Sequence, residues 1–457
     1  MFTKQESFDL QQEPKTLVIT NDLTNPLVKS LDEVFKGKLK NISDKPFTTV
    51  YTLGLIEAEK VFIIDQESMD DDKKLKKIYK GILSLKSDII FLLDTFQEAL
   101  VPDLVEGLTY HNYKFDTLKS KKDDQKKTIN YYTEKNLEPM INEGLILGEA
   151  INNTRTLVNT PYNYLNAADL AEYAKKLERI DGIKVKILEK PEIEAMNMGA
   201  FLGVNKGSIE PPKLIHIEYT GNKEDDEKTA LVGKGVMYDT GGYSLKTPQS
   251  MPNMKMDMGG SATVLGAIEA IARLKYKANV SVVIAATDNR IGDHAIVPDD
   301  ILTAANGLTI EIISTDAEGR LTLADALWYA QKEGATRLID VATLTGAIVA
   351  ALGEAYTGAF SNNKAFLNEL TSITENNKDN IWEMPISDTY RKELKSYSAD
   401  MTNKGGRMAG ASIAAAFLEK FIENDRPWIH LDIAGTAFNS KTGATGRMVK
   451  NLTQLFK

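Results

Sequence analysis

The chain contains no cysteine and only four histidines in 457 residues. The first absence excludes thiol nucleophiles, disulfide frameworks and every cysteine-built metal site. The second is as restrictive, because His111, His216, His294 and His430 are scattered and form no His-Glu-x-x-His pair. A metal site here has to rely on oxygen and amine ligands. Long apolar runs are missing too: even Leu338–Gly353 is broken by Asp340, Thr343 and Thr345, far from the roughly 18 apolar residues of a membrane span. The opening Met1–Glu6 carries charge and no apolar stretch, unlike a secretory signal, so a cytoplasmic protein with no membrane partner is expected. Nor is there an excess of cations. Lys and Arg number 55 against 64 Asp and Glu, a net charge of −9, which argues against a nucleic-acid partner. Neither glycine-rich phosphate-binding signature occurs.

What is present reads as an ordinary globular chain, 42% apolar and 26% charged, long enough for roughly two or three domains. In the first third, buried strands are expected at Thr16–Thr20, Val61–Asp65 and Asp88–Leu93, alternating with helices over Asn25–Phe35, Asp70–Leu85 and Phe96–Leu108. Such alternation predicts an α/β layer domain with a largely parallel sheet. Lys119–Lys127 reads as a solvated charge run. A helix over Glu138–Asn159 should stop before Thr160-Pro161 and bridge two domains. Beyond it, strands are expected at Lys184–Leu188, Leu214–Tyr219, Thr229–Gly233, Val280–Thr287, Leu308–Ile313, Arg337–Thr343 and Trp428–Ile433. Helices are expected at Ala167–Arg179, Ser261–Leu274, Leu323–Glu333, Lys364–Asn377 and Ala409–Ile422.

Three segments carry the chemistry. Val232–Lys246 follows a strand and combines four glycines with Lys234, Asp239 and Lys246. Met254–Ser261 contains Asp257 and leads into a helix, a placement that the helix dipole alone would explain. Ser314–Leu321 contains Asp316, Glu318 and Arg320. Thr315 with Glu318 has capping-box spacing, but Gly319 is a weak helix former, so Thr322 with Asp325 is the better start. An extended backbone before it would point Asp316, Glu318 and Arg320 to one side. Asp239, Asp257, Asp316 and Glu318 gathered at one place would be costly unless neutralised. Two divalent cations balance them in charge count. Lys234 could then ligate as a neutral amine, which requires about 4–5 kcal/mol to bring a lysine from ~10.4 to about 7. Lys246 and Arg320 remain as cations for a developing oxyanion or a small anion.

These segments, with Val158–Asn163, Ala342–Ala347 and Leu431–Thr436, resemble the leucyl aminopeptidases, also called cytosol aminopeptidases, over roughly Val158 to Phe456. The resemblance implies an α/β protein of two domains: a smaller, macro-like N-terminal domain over 1–137, a connecting helix over 138–161, and a larger catalytic domain over 162–457 with a central mixed sheet. It implies one metal on Lys234, Asp239, Asp257 and Glu318, and a more exchangeable one on Asp239, Asp316 and Glu318. The metals implied are Mn²⁺ or Zn²⁺, with Co²⁺ or Mg²⁺ as alternatives, and a water between them is the implied nucleophile. Lys246 would polarise the scissile carbonyl. Arg320, with backbone groups of Ala317, Gly319 and Leu344, would hold a bicarbonate acting as general base. Met254, Thr343 and Gly346 would line the cavity for the first side chain. Peptides with a free N-terminus would be the substrates, and a homohexamer the assembly.

The chain departs from the family pattern at Thr240, in place of serine, at Ser314, in place of asparagine, and within Asp293–Val297 and Gly405–Met408. None is an implied metal ligand. A dipeptidase acting on Cys-Gly is a second enzymatic reading. A DNA-binding regulator is a third, opposed by the net charge, and a degenerate homologue is opposed by the intact Lys, Asp, Glu and Arg set.

Overall fold

The computed structural model describes residues 2–39, 45–121 and 127–457, and the chain divides into two compact units, Met1–Glu149 and Ala150–Lys457. In the first unit the β-branched run Thr16–Thr20 is a fully buried strand as expected. The unit's sheet consists of β1 (Phe2–Lys4), β2 (Thr16–Thr20), β3 (Phe47–Tyr51), β4 (Lys60–Ile64), β5 (Ile89–Leu92) and β6 (Ile129–Tyr132), ordered β1-β6-β5-β2-β4-β3. Only β3 pairs antiparallel. Alternation along β2 sends Val18 to one apolar layer and Leu17 and Ile19 to the other, so both sheet faces are covered, as parallel strands require. Asn25 caps helix Pro26–Val34 and Asp71 caps helix Asp72–Ser84 through their side-chain oxygens. Of the charge run, residues 122–126 lie outside the described residues. Helix Glu138–Asn159 ends before Thr160-Pro161.

The second unit is built on eight strands: β7 (Ile183–Leu188), β8 (Lys213–Thr220), β9 (Thr229–Asp239), β10 (Asn279–Asn289), and, after β11 (Ile301–Thr303) and β12 (Thr309–Glu311) of a smaller sheet, β13 (Arg337–Ala342), β14 (Thr357–Ser361), β15 (Ile381–Glu383), and finally β17 (Trp428–Asp432). The short β16 (Met401–Thr402) completes the smaller sheet. The large sheet is ordered β15-β14-β17-β13-β9-β10-β8-β7, parallel through β17-β13-β9-β10 and antiparallel where β14 meets β17 and where β8 meets β10 and β7. It is a mixed sheet. Leu231, Ile284 and Ile339 enter the core on one face, while Val232, Val283 and Leu338 enter that on the other. Helix Gly259–Arg273 packs with the first group and helix Gly319–Lys332 with the second.

Strand β9 outruns its neighbour. It pairs with β13 only as far as Gly233, but continues along β10 to Asp239. The last six residues, Lys234 to Asp239, therefore have a strand on one side only. Their side chains meet the turns that follow the other strands, the place where α/β sheets concentrate chemistry.

The Ser314–Leu321 segment corrects the extended reading. A turn at Thr315-Asp316 leads directly into helix Gly319–Lys332, with Glu318 as its N-cap residue and Arg320 in its first turn. Thr322 lies inside the helix and donates to the Gly319 carbonyl, and Asp325 is wholly buried, accepting from the backbone of Phe201 and Ala305. The helix begins at glycine for a tertiary reason. A Cβ on Gly319 would stand 2.4 Å from Lys234 Cε and 2.6 Å from Nζ.

Candidate metal centre

Two groups of charges meet beyond β9. In the first, Lys234 projects from the strand and is almost fully buried. Its Nζ lies 2.7 Å from Asp257 Oδ2 and 2.9 Å from Glu318 Oε1, and donates to the Thr343 carbonyl at 3.0 Å. Asp257 comes from the single-turn helix Met254–Met258, and its Oδ1 accepts from Lys234 and from Thr343 Oγ, each at 2.8 Å. In the second group, Lys246 Nζ lies 2.7 Å from Asp239 Oδ2 and 2.6 Å from Asp316 Oδ1. Asp239 ends β9, and two consecutive left-handed glycines, Gly241 (φ +84°) and Gly242 (φ +61°), turn the chain back so that Lys246 reaches it. Thr315 locks this turn to the next loop: its Oγ donates to the Gly241 carbonyl at 2.6 Å and accepts from Ser244 N at 2.7 Å.

The groups join through carboxylates. Asp239, Asp316 and Glu318 each offer an oxygen, and these atoms lie within 4.8 Å of one another. Asp239 and Glu318 are buried and Asp316 is the exposed member. Burial, reinforced by Glu318, pushes the Asp239 carboxyl up to about 6. Burial also holds Asp257 well above the usual carboxylate range, against the pull of Lys234, and raises Asp316. Glu318 goes the other way, because Lys234 and Lys246 together outweigh its burial. Burial alone would lower Lys234, but Asp257, Glu318 and Asp239 hold its ammonium charged.

Arg320 stands apart from both lysines. Burial draws its guanidinium down to about 10, with Glu318 and Asp432 opposing. Its NH1 donates to the Asn403 carbonyl at 2.8 Å, while its buried Nε–H has no hydrogen-bond partner. The Leu344 N–H donates to Asp432 Oδ1 at 3.1 Å, and Ala317 N–H to the Ser314 carbonyl at 3.3 Å. Gly346 opens helix Gly346–Leu352 and is exposed, with nothing within 4 Å of a Cβ placed on it. Met254 is half-buried. Of the three expected cavity residues, Thr343 is tied directly to the centre, donating to Asp257 through its hydroxyl and accepting from Lys234 through its carbonyl.

Sequence reasoning assigned no part to Asn403 or Asp432. Asn403 accepts from Ile313 N and Ser314 N and donates to the Ser314 carbonyl, fixing the loop that carries Asp316. Asp432 accepts from Thr345 Oγ at 2.6 Å and from the backbone of Leu344 and Ala434. Its motif, Leu431–Thr436, was legible, whereas Asn403 lies in a stretch with no pattern of its own.

The donor set fits a divalent cation: carboxylate oxygens with one amine, no sulfur and no imidazole, mostly buried and partly open at Asp316. The orphaned Arg320 Nε–H fits a small anion beside it. The mixed sheet and this carboxylate cluster define an α/β protein with a candidate metal centre. The sequence model of the cytosol aminopeptidase family, catalytic domain, matches residues 152–453. A solved structure of a tomato leucine aminopeptidase point mutant is similar at 31% identity and a TM-score of 0.86, covering 100% of this chain and 96% of that one. The chain belongs to the cytosol aminopeptidase family, and is a metallo-exopeptidase of that family.

Proposed function

We propose that the protein removes N-terminal residues, preferentially leucine-like ones, from peptides, using two divalent cations. The observation that carries this reading is the convergence of Asp239, Asp316 and Glu318 within 4.8 Å, flanked by Lys234 and Lys246. Lys234, Asp239, Asp257 and Glu318 would hold one ion, and Asp239, Asp316 and Glu318 the other. The ions supply Lewis acidity and a water nucleophile at neutral pH. The protein's own groups do the rest. Lys246, fixed by Asp239 and Asp316, presents a cation to the scissile carbonyl oxygen as negative charge develops there. Arg320, whose Nε–H is unpartnered, would hold a bicarbonate together with Ala317, Gly319 and Leu344, a group that would supply a general base there. Met254, Thr343 and Gly346 receive the first side chain.

The catalytic domain in this reading spans 162–457, joined by a helix over 138–161 to a macro-like domain over 1–137. Mn²⁺ or Zn²⁺, a cytoplasmic setting and a homohexamer belong to the same proposal and are supported by the family membership. No helix among the described residues is long and apolar enough to cross a membrane.

The test is to strip the protein with a chelator and follow hydrolysis of a leucine anilide with and without Mn²⁺ or Zn²⁺, with Lys246→Ala alongside. Activity restored by metal in the wild type but not in the variant is expected. A folded, metal-loaded wild type inactive on every N-terminal residue would overturn the reading, and faster cleavage of Cys-Gly than of leucine substrates would reassign the specificity.

A further inference from the structure

Asn289 touches both loops of the centre. It is 2% exposed. Its amide nitrogen donates to Asp239 Oδ1 at 2.8 Å and to the Thr315 carbonyl at 3.0 Å. Both partners are pure acceptors, so the orientation of the amide is set by chemistry. Its main-chain carbonyl accepts from Thr240 N at 3.0 Å and Thr240 Oγ at 2.8 Å. One residue thus fastens the loop after β9 and the turn that carries Asp316.

A register shift puts it there. Thr287 pairs with Val236 and Asn289 with Asp239, so β9 spends one residue more than β10 over this interval. Bulges of this kind re-aim the side chains next to them. Without the extra residue Asn289 would face Tyr238, and Asp239 would lie beyond the strand pair. The hydrogen bonds then decide what Asp239 offers. Oδ1 accepts from Asn289 and from Gly241 N, both at 2.8 Å, and Oδ2 is left to face Lys246.

We propose that Asn289 is a positioning residue: it fixes the rotation of the Asp239 carboxylate and the distance between the Asp239 and Asp316 loops, and so sets the affinity of the centre for a divalent cation, without touching cation or substrate. The inference rests on the metal-centre reading above. Outer partners of metal-binding carboxylates typically govern affinity by about 10- to 100-fold.

The test compares wild type with Asn289→Ala and with Asn289→Thr, which suits a strand end but lacks the amide. Mn²⁺ affinity is measured by competition with a chromophoric chelator, and thermal unfolding of the metal-stripped proteins is recorded in parallel. Both variants are expected to bind Mn²⁺ about 10- to 100-fold more weakly, with kcat on a leucine anilide recovering as Mn²⁺ is raised. If Asn289→Ala does not fold, Asn289→Thr carries the comparison. Variant affinities within about twofold of wild type would overturn the role of Asn289 while leaving the metal centre intact. A wild type that binds no Mn²⁺ would overturn both.

Discussion

At the scale of single residues, the centre places opposite demands on two positions. Lys246 lies against Asp239 and Asp316 at 2.7 and 2.6 Å, and its removal takes away a cation aimed at a developing oxyanion. Lys246→Ala should lower kcat by about 100- to 1000-fold with little change in Mn²⁺ affinity, a separation that steady-state kinetics and chelator competition read independently. Gly319 has no side chain to lose, but its Cβ would stand 2.4 Å from Lys234 Cε. Gly319→Ala should displace the Lys234 side chain from its place beside Asp257 and Glu318, where its neutral amine would ligate the cation, and weaken Mn²⁺ binding by at least about tenfold. An affinity equal to wild type would show that the buried lysine has room to move. The charged residues that converge at the centre, Lys234, Asp239, Asp257, Asp316 and Glu318, were legible because charged residues beside glycine after apolar strands are rare in a core. Asn289 and Asn403 were not legible. A neutral amide announces its part only when the carbonyls it must satisfy have been placed by the fold.

At the scale of elements, the helix Gly319–Lys332 shows how tertiary contact overrides local preference. Propensity favours a start at Thr322 capped against Asp325. The observed helix starts at Gly319, four residues before the expected Leu323, because Asp325 is engaged elsewhere, accepting from Phe201 N and Ala305 N at 2.8 Å each. Helix Gly199–Asn205 has no side-chain cap of its own at Met198, and Asp325 supplies one from a distant part of the chain. Asp325→Ala leaves buried donors without acceptors and should cost about 3 kcal/mol, read as a lower urea midpoint at unchanged slope. A midpoint within error of wild type would remove the capping role. Long, strongly apolar strands such as β2, β4, β8, β10 and β17 were visible from sequence to within a residue or two at each end. The misses among β1 to β17 were β1, β3, β6, β11, β14, β15 and β16. Of these, β1, β3 and β15 stand at sheet edges, and β14 is built largely from the small residues Thr357-Gly358-Ala359. Their strand character comes from partners far away in the chain.

At the scale of the whole molecule, stability should respond both to metal and to pH. A cation that binds the folded centre and not the unfolded chain adds about 2.7 kcal/mol at a free concentration of about 100 times its Kd. Chelator-treated protein should therefore melt lower and regain its Tm with Mn²⁺. A Tm indifferent to Mn²⁺ at such concentrations would contradict a preformed site. A separate dependence comes from His216, which burial holds below its ordinary value of 6.5 despite Glu218 and Glu333 at 4.0 and 3.9 Å. Between the folded value and 6.5 the unfolded chain binds more protons, so stability should fall as pH drops through that window and level off below it. Denaturation at several pH values should show a shallower acid slope for His216→Gln, and equal slopes would exclude the effect. From Lys234 to Asp239, β9 pairs with β10 alone, so it has less support here than over Thr229–Gly233, in the stretch that supplies two of the centre's charged side chains. In amide exchange this segment should open before the rest of β9, and an occupant of the centre should slow it selectively. The region where the chemistry is placed would then also be where the fold breathes, and the traffic of ions and peptides through the protein would be written in the lifetime of a few amide protons.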